Sequence, residues 1–183
     1  MRWRRLVMGL ILAALAAAVP GLQAQAGTYY TNQDDPTTWW YAQEDPSFWL
    51  LVPSDAASYR DIDLFGVKGV DLVLREGGPQ MRVRRVRGTD VERIWTAERD
   101  AWSHSLRNSR LTTNRQITTS NGVRAHFKVL EATASDGTAA MIRFVAFVQG
   151  DHTVYLLFLG PRSSYSGRAQ DAWLKAVNSF SWR

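Results

Sequence analysis

The chain contains no cysteine. That absence excludes a disulfide scaffold, thiol catalysis, thiolate metal sites and a lipidated cysteine at a processing point. Histidine is nearly as scarce, with three dispersed copies at positions 104, 126 and 152. There is no Gly-x-Ser-x-Gly elbow, no phosphate loop, no paired-histidine zinc motif and no Gly-x-Gly-x-x-Gly after a strand. No apolar run reaches the roughly 20 residues that span a bilayer as a helix.

The apolar run at residues 6–19 carries an address. Arg2, Arg4 and Arg5 precede it, Pro20-Gly21 break it, and Ala24-Gln25-Ala26 supplies the small-x-small pattern of signal peptidase substrates. Residues 1–26 are expected to be a cleaved secretory signal, leaving Gly27 as the mature terminus and a periplasmic or secreted product. Of the formal charge of +5, three charges lie on those arginines, so the mature chain is near +2. Residues 27–66 hold seven acids against Arg60 alone, and residues 67–128 hold thirteen bases against six acids. Mutual neutralisation on folding is the simpler reading of this asymmetry, ahead of two binding faces.

Residues 27–47 form an aromatic, acidic, turn-rich entry with a ten-residue echo. Gln33-Asp34-Asp35-Pro36-Thr37-Thr38-Trp39 is followed by Gln43-Glu44-Asp45-Pro46-Ser47-Phe48-Trp49. Asp-Pro-Ser/Thr is turn chemistry, with the carboxylate capping free N–H groups. Residues 48–52 read as a first strand, and residues 70–74 and 80–86 as a hairpin. Thr89 with Glu92 forms a capping box opening a helix that is expected to end near Asn108. Asn121-Gly122, Asp136-Gly137 and Gly150-Asp151 then punctuate strands at 115–119, 123–133, 138–149 and 153–159. The last two are apolar on both faces, Ile142 and Phe144 against Met141 and Phe147. Each face therefore needs a cover. Helix 90–107 supplies one, and a second helix near 167–178, with Ala169, Ala172, Trp173, Ala176 and Val177 on its stripe, supplies the other. The expectation is a three-layer α/β/α sandwich around an antiparallel sheet, an α+β domain over residues 48–183.

This order of elements resembles the PsbP/Mog superfamily, which includes exported bacterial PsbP-like and DcrB-like proteins. The resemblance is carried by Ser47-Phe48-Trp49-Leu50-Leu51-Val52-Pro53, by Val148-Gln149-Gly150-Asp151-His152-Thr153-Val154-Tyr155-Leu156-Leu157, and by Ala172-Trp173-Leu174-Lys175-Ala176-Val177-Asn178-Ser179-Phe180. These are core-forming patterns without ligand chemistry. The resemblance implies a small, non-catalytic binding or assembly protein with no cofactor, and it carries over no binding residue.

Candidate sites come from the residues alone. Aromatic rings beside carboxylates suit protein hot spots or sugar rings, which selects Trp39, Trp40 and Tyr41 with Asp34, Asp35 and Glu44. Trp39 and Trp40 are adjacent, so in a strand one packs while the other stays available. A polyanion reading uses Arg82, Arg84, Arg85 and Arg87, whose plainer explanation is an edge strand protected by charge. An Asp100–His104 pair at helical spacing is the remote basis for a hydrolase, and no metal ligand set is expected. The expected partner is another envelope protein or a glycan, not nucleic acid.

Overall fold

The computed structural model describes residues 27–76 and 78–183. The expected signal segment lies outside them. Two antiparallel sheets and two helices make up the fold. A four-stranded sheet has the order β1-β2-β3-β11, from Thr28–Thr31 (β1), Thr38–Gln43 (β2), Phe48–Pro53 (β3) and Ser181–Trp182 (β11). A seven-stranded sheet has the order β4-β5-β6-β10-β9-β8-β7. Its strands are Ser58–Leu64 (β4), Val67–Val73 (β5), Gln80–Arg87 (β6), Leu106–Thr118 (β7), Arg124–Ala134 (β8), Ala139–Gln149 (β9) and His152–Pro161 (β10).

The turns follow from the punctuation. Gly150 has φ +58, and Gln149 pairs directly with His152, giving the two-residue hairpin that places glycine at its first central position. Asn121-Gly122 makes a longer loop than its sequence signals. The Gly122 N–H donates to the Thr119 carbonyl, Gly122 has φ +77, and the Thr119 N–H donates to Val123 O. This is a three-residue loop that ends in a left-handed glycine.

Helix α1 (Val91–Ser103) covers one face of the large sheet. It buries Val91, Trp95 and Trp102 against Leu130, Ile142, Phe144, Ala146, Tyr155 and Leu157. Its cap is Asp90 rather than Thr89: the Asp90 carboxylate accepts the Arg93 N–H at 3.0 Å. It also stops earlier than the apolar spacing implies. Leu106 joins the same apolar cluster from β7, where it pairs with Ala134, so ladder hydrogen bonds replace the last helical turn.

Helix α2 (Gly167–Ser179) covers the opposite face, burying Ala172, Trp173, Ala176 and Val177. It shares that layer with the four-stranded sheet, since Tyr41, Phe48, Leu50 and Val52 join the same core as Met141, Val145, Phe147, Leu156 and Phe158. The three layers are therefore α1, the large sheet, and α2 side by side with the small sheet. Residues 27–47 are not an appendage: β1 and β2 belong to the same sheet as β3 and β11. The ten-residue echo is the period of this meander, each copy being one turn followed by one strand. No helix among the described residues is long and apolar enough to cross a membrane.

Candidate functional site: an aromatic sheet face

Alternation along the small sheet sorts its rings into two sets. Tyr29, Trp39 and Tyr41 point toward the core, where Tyr29 lies 5.9 Å from Trp39, 5.2 Å from Tyr41 and 6.0 Å from Tyr59. Tyr41 is 0% exposed, so this expected contact residue is core. Burial raises its hydroxyl's pKa well above the usual tyrosine range, and does the same for Tyr29.

Tyr30, Trp40 and Trp49 form the other set, on the face turned away from the large sheet. The Tyr30 and Trp49 rings stack with centroids 5.3 Å apart and planes 12° apart, and Trp40 meets Trp49 edge-on at 6.3 Å. The Arg183 guanidinium lies 3.7 Å over the Trp49 ring. Tyr30 is 48% exposed, and none of the three rings packs into either apolar core. Trp39 and Trp40, both half-buried, thus lie on the core-facing and the outer face of the sheet respectively.

The expected acids do not gather beside these rings. Asp34 and Asp35 lie in the β1–β2 loop and Glu44 in the β2–β3 loop, at opposite ends of β2. Asp35 is engaged: its carboxylate accepts Lys175 Nζ at 2.6 Å, Thr37 Oγ1 at 2.6 Å and the Thr37 N–H at 3.0 Å. The lysine hydrogen bond, followed by that from the Thr37 hydroxyl, lowers its pKa to about 2. Asp34 and Glu44 are exposed, and the Glu44 carbonyl accepts Arg85 Nη1 at 2.9 Å.

The basic strand is not an edge. β6 lies between β5 and β10, so its arginines have ligands on both sides. Arg84 is buried and hydrogen-bonds Asp71, Arg82 lies 3.4 Å from Asp71, and Arg87 Nε is 2.9 Å from Asp151. Arg82 also covers the Trp102 ring at 4.7 Å and approaches Glu98 at 3.8 Å. Arg85 is buried as well. Of the four arginines proposed for a polyanion, three are held inside the fold, and Arg87 is tied to an acid.

Glu98 accepts the Tyr155 hydroxyl at 2.6 Å, and both line an open groove of about 570 Å³ between α1 and β6, with Val86, Arg87, Arg93 and Ile94. Burial, and then the Glu98 charge, push the Tyr155 pKa up, so this hydroxyl is a proton donor to the carboxylate. Asp100 and His104 do not meet: Asp100 accepts Arg99 at 2.9 Å, while His104 Nδ1 lies 3.5 Å from Ser103 Oγ. His152 Nδ1 is 2.7 Å from Asp151. Among the described residues no cluster of three or more His, Asp or Glu is placed to hold a metal.

Arg183 has no place in the sequence reading, whereas Tyr30 and Trp49 belong to its aromatic segment without being among the residues selected for the site. The available signal was the aromatic alternation over Tyr29-Tyr30, Trp39-Trp40 and Phe48-Trp49, in which each second ring falls on one face.

No family model matches the chain, and no curated protein matches it in sequence. Its structure is similar to that of cyanobacterial PsbP (CyanoP) from Synechocystis sp. PCC 6803. The TM-score is 0.54 at 11% identity, covering 92% of this chain and 99% of that one. Weaker likenesses are to a protein from Bacteroides thetaiotaomicron VPI-5482 (TM-score 0.41, 16% identity, 74% of this chain and 45% of that one) and to PA94 from Pseudomonas aeruginosa, a protein of unknown function described as a putative regulator (0.37, 12%, 80% and 90%). At these identities the likeness speaks for architecture: the chain has a PsbP-like α+β fold built on antiparallel sheets.

Proposed function

We propose that this chain is an exported, non-catalytic binding or assembly module of the periplasm or cell envelope. The outer aromatic face of its small sheet is the contact surface, and its partner is another envelope protein. One observation carries the reading: Tyr30, Trp40 and Trp49 stand on the sheet face opposite the core, with Arg183 over Trp49. Tyrosine, tryptophan and arginine are the residues that most often dominate protein–protein binding energy. A core-building role would have turned these rings toward the large sheet, as it does Trp39 and Tyr41.

A glycan is the second reading, favoured by the same rings. It fits less well, because sugar stacking needs an open ring face and Arg183 lies over that of Trp49. Placement of a photo-crosslinking phenylalanine analogue at position 40 tests the proposal in envelope extracts. A discrete crosslinked protein is expected from position 40 and not from position 174 on α2, where Leu174 is exposed. Equal yields from both positions would remove the aromatic face as the contact surface. A thermal shift with glycans that is lost in Trp40→Ala would favour the second reading.

A further inference from the structure

Strand β7 is the free edge of the large sheet. Among the described residues β8 is its one strand neighbour, so the backbone N–H and C=O groups of every second residue point away from the sheet. Its first half is interrupted, with register shifts between Arg107 and Arg110 and between Leu111 and Thr113, and with Asn108 at φ +52. Such irregularities blunt an edge against pairing. Residues 113–118 pair with β8 without interruption, a straight stretch of about 20 Å. This stretch is held firmly from behind. Asn114 Oδ1 accepts the fully buried Lys128 Nζ at 2.8 Å, and the same ammonium binds Glu92 of α1 at 2.7 Å.

The charge on this edge has one sign. β7 carries Arg107, Arg110 and Arg115 and no acid. Among the described residues neither Arg107 nor Arg110 makes an ion pair, and Glu131, opposite Arg110, is engaged by Arg162 at 3.5 Å. Arg115 lies 6.0 Å over the Phe127 ring. Two β7 edges brought together would oppose like charges, which disfavours self-pairing. The other edge of the sheet, β4, is a poor complement, because Asp61 accepts the Tyr29 hydroxyl at 3.4 Å and Asp63 pairs with Lys68 at 3.5 Å.

We propose that β7 is a strand-addition site that receives an extended, acidic segment of a partner protein, paired along residues 113–118 and steered by Arg107, Arg110 and Arg115. Backbone hydrogen bonds would supply the pairing, and opposite charge would select the strand. This surface is separate from the aromatic face, on the other sheet.

A fluorescent octapeptide alternating glutamate with valine is the probe, titrated into the full chain by anisotropy. Saturable binding is expected, weakening by about tenfold or more when the backbone amides are N-methylated, when lysine replaces glutamate, or in an Arg110→Glu/Arg115→Glu variant. Both arginines are exposed, so that variant should melt as the parent does. Amide exchange should slow at residues 113–118 on binding. Trp40→Ala should bind the peptide normally, so failure here is distinguishable from failure of the aromatic face. Undiminished binding of the N-methylated peptide would reduce the effect to charge alone and overturn the proposal. So would an absence of saturable binding, or a dimer of the chain itself that protects these same amides.

Discussion

The Phe147 and Phe180 rings stack almost parallel, with centroids 3.7 Å and planes 6° apart. Phe147 sits at the centre of the large sheet and Phe180 follows α2, so this one contact fastens the layer containing α2 to the sheet. Phe144, three residues earlier on the same strand, faces the other way and meets Trp95 of α1 at 5.4 Å. Both phenylalanines are fully buried. Truncation of either to alanine is expected to destabilise the fold by about 3–5 kcal/mol in chemical denaturation. A near-silent result at one of them would mean that its sheet face is open to water.

Lys128 is buried while its partner Glu92 is mostly exposed, the two side chains being 1% and 69% accessible. Loss of the carboxylate strands a buried ammonium with Asn114 as its remaining acceptor, whereas loss of the ammonium merely returns a surface carboxylate to water. Glu92→Ala is therefore expected to cost about 1–3 kcal/mol. Lys128→Met, which keeps the volume, should cost less than about 1.5 kcal/mol. The double variant should be no worse than Lys128→Met alone. Denaturant midpoints for the three chains check the order, and the reverse ranking would contradict it.

Asp35 links the first turn of the meander to α2 through Lys175. Its folded pKa, about 2, lies below the unfolded carboxylate value of about 3.9. The link therefore stabilises the fold fully above the unfolded value and fades as the pH falls from about 4 to 2. Asp35→Asn should be less stable than the parent at neutral pH, and the gap should close across that acid window. Urea midpoints measured at successive pH values give the test. A gap that stays constant down to pH 2, or widens, would show that the carboxylate charge is not the stabilising feature.

Trp39 and Trp40 should separate by phenotype. Trp39 lies 5.4 Å from Tyr59 and 5.9 Å from Tyr29 within the core-facing ring cluster. Trp39→Ala is expected to lose about 2 kcal/mol or more, somewhat less than a fully buried ring. Trp40→Ala, at a half-buried ring outside both apolar cores, should lose only about 1 kcal/mol, the worth of its contact with Trp49. Acrylamide quenching should lose its more accessible component in the Trp40 variant. Equal destabilisation by both substitutions would make the outer rings structural.

Much of the sandwich is legible along the chain. The two apolar faces of β9 and β10, the stripe of α2 and the glycine turns are local patterns, and local geometry decides them. Strands alternate by covalent pleating, and a glycine adopts a positive φ without a Cβ clash. The β4 strand was less legible, because Arg60, Asp61 and Asp63 interrupt any apolar alternation in an exposed edge. The end of α1 was misread for a related reason: Leu106 keeps helical spacing with Trp102 while its backbone belongs to a ladder.

The candidate sites divide along the same line. That Trp39 and Trp40 point to opposite sides is already written in the chain, since it follows from adjacency in any strand. Which side is core is not, because that depends on how β1–β3 dock on a sheet formed by strands between residues 58 and 161. The arginine run 82–87 is the converse case. Its charge pattern is that of an exposed edge, but β10, some seventy residues later, pairs along it and makes it central. Asp71 and Glu98 then arrive from β5 and α1 to neutralise it. Periodicity specifies the two sides of an element, whereas contacts between distant segments specify what lies on each side. The pairing order and the buried charges of this fold belong to the second kind.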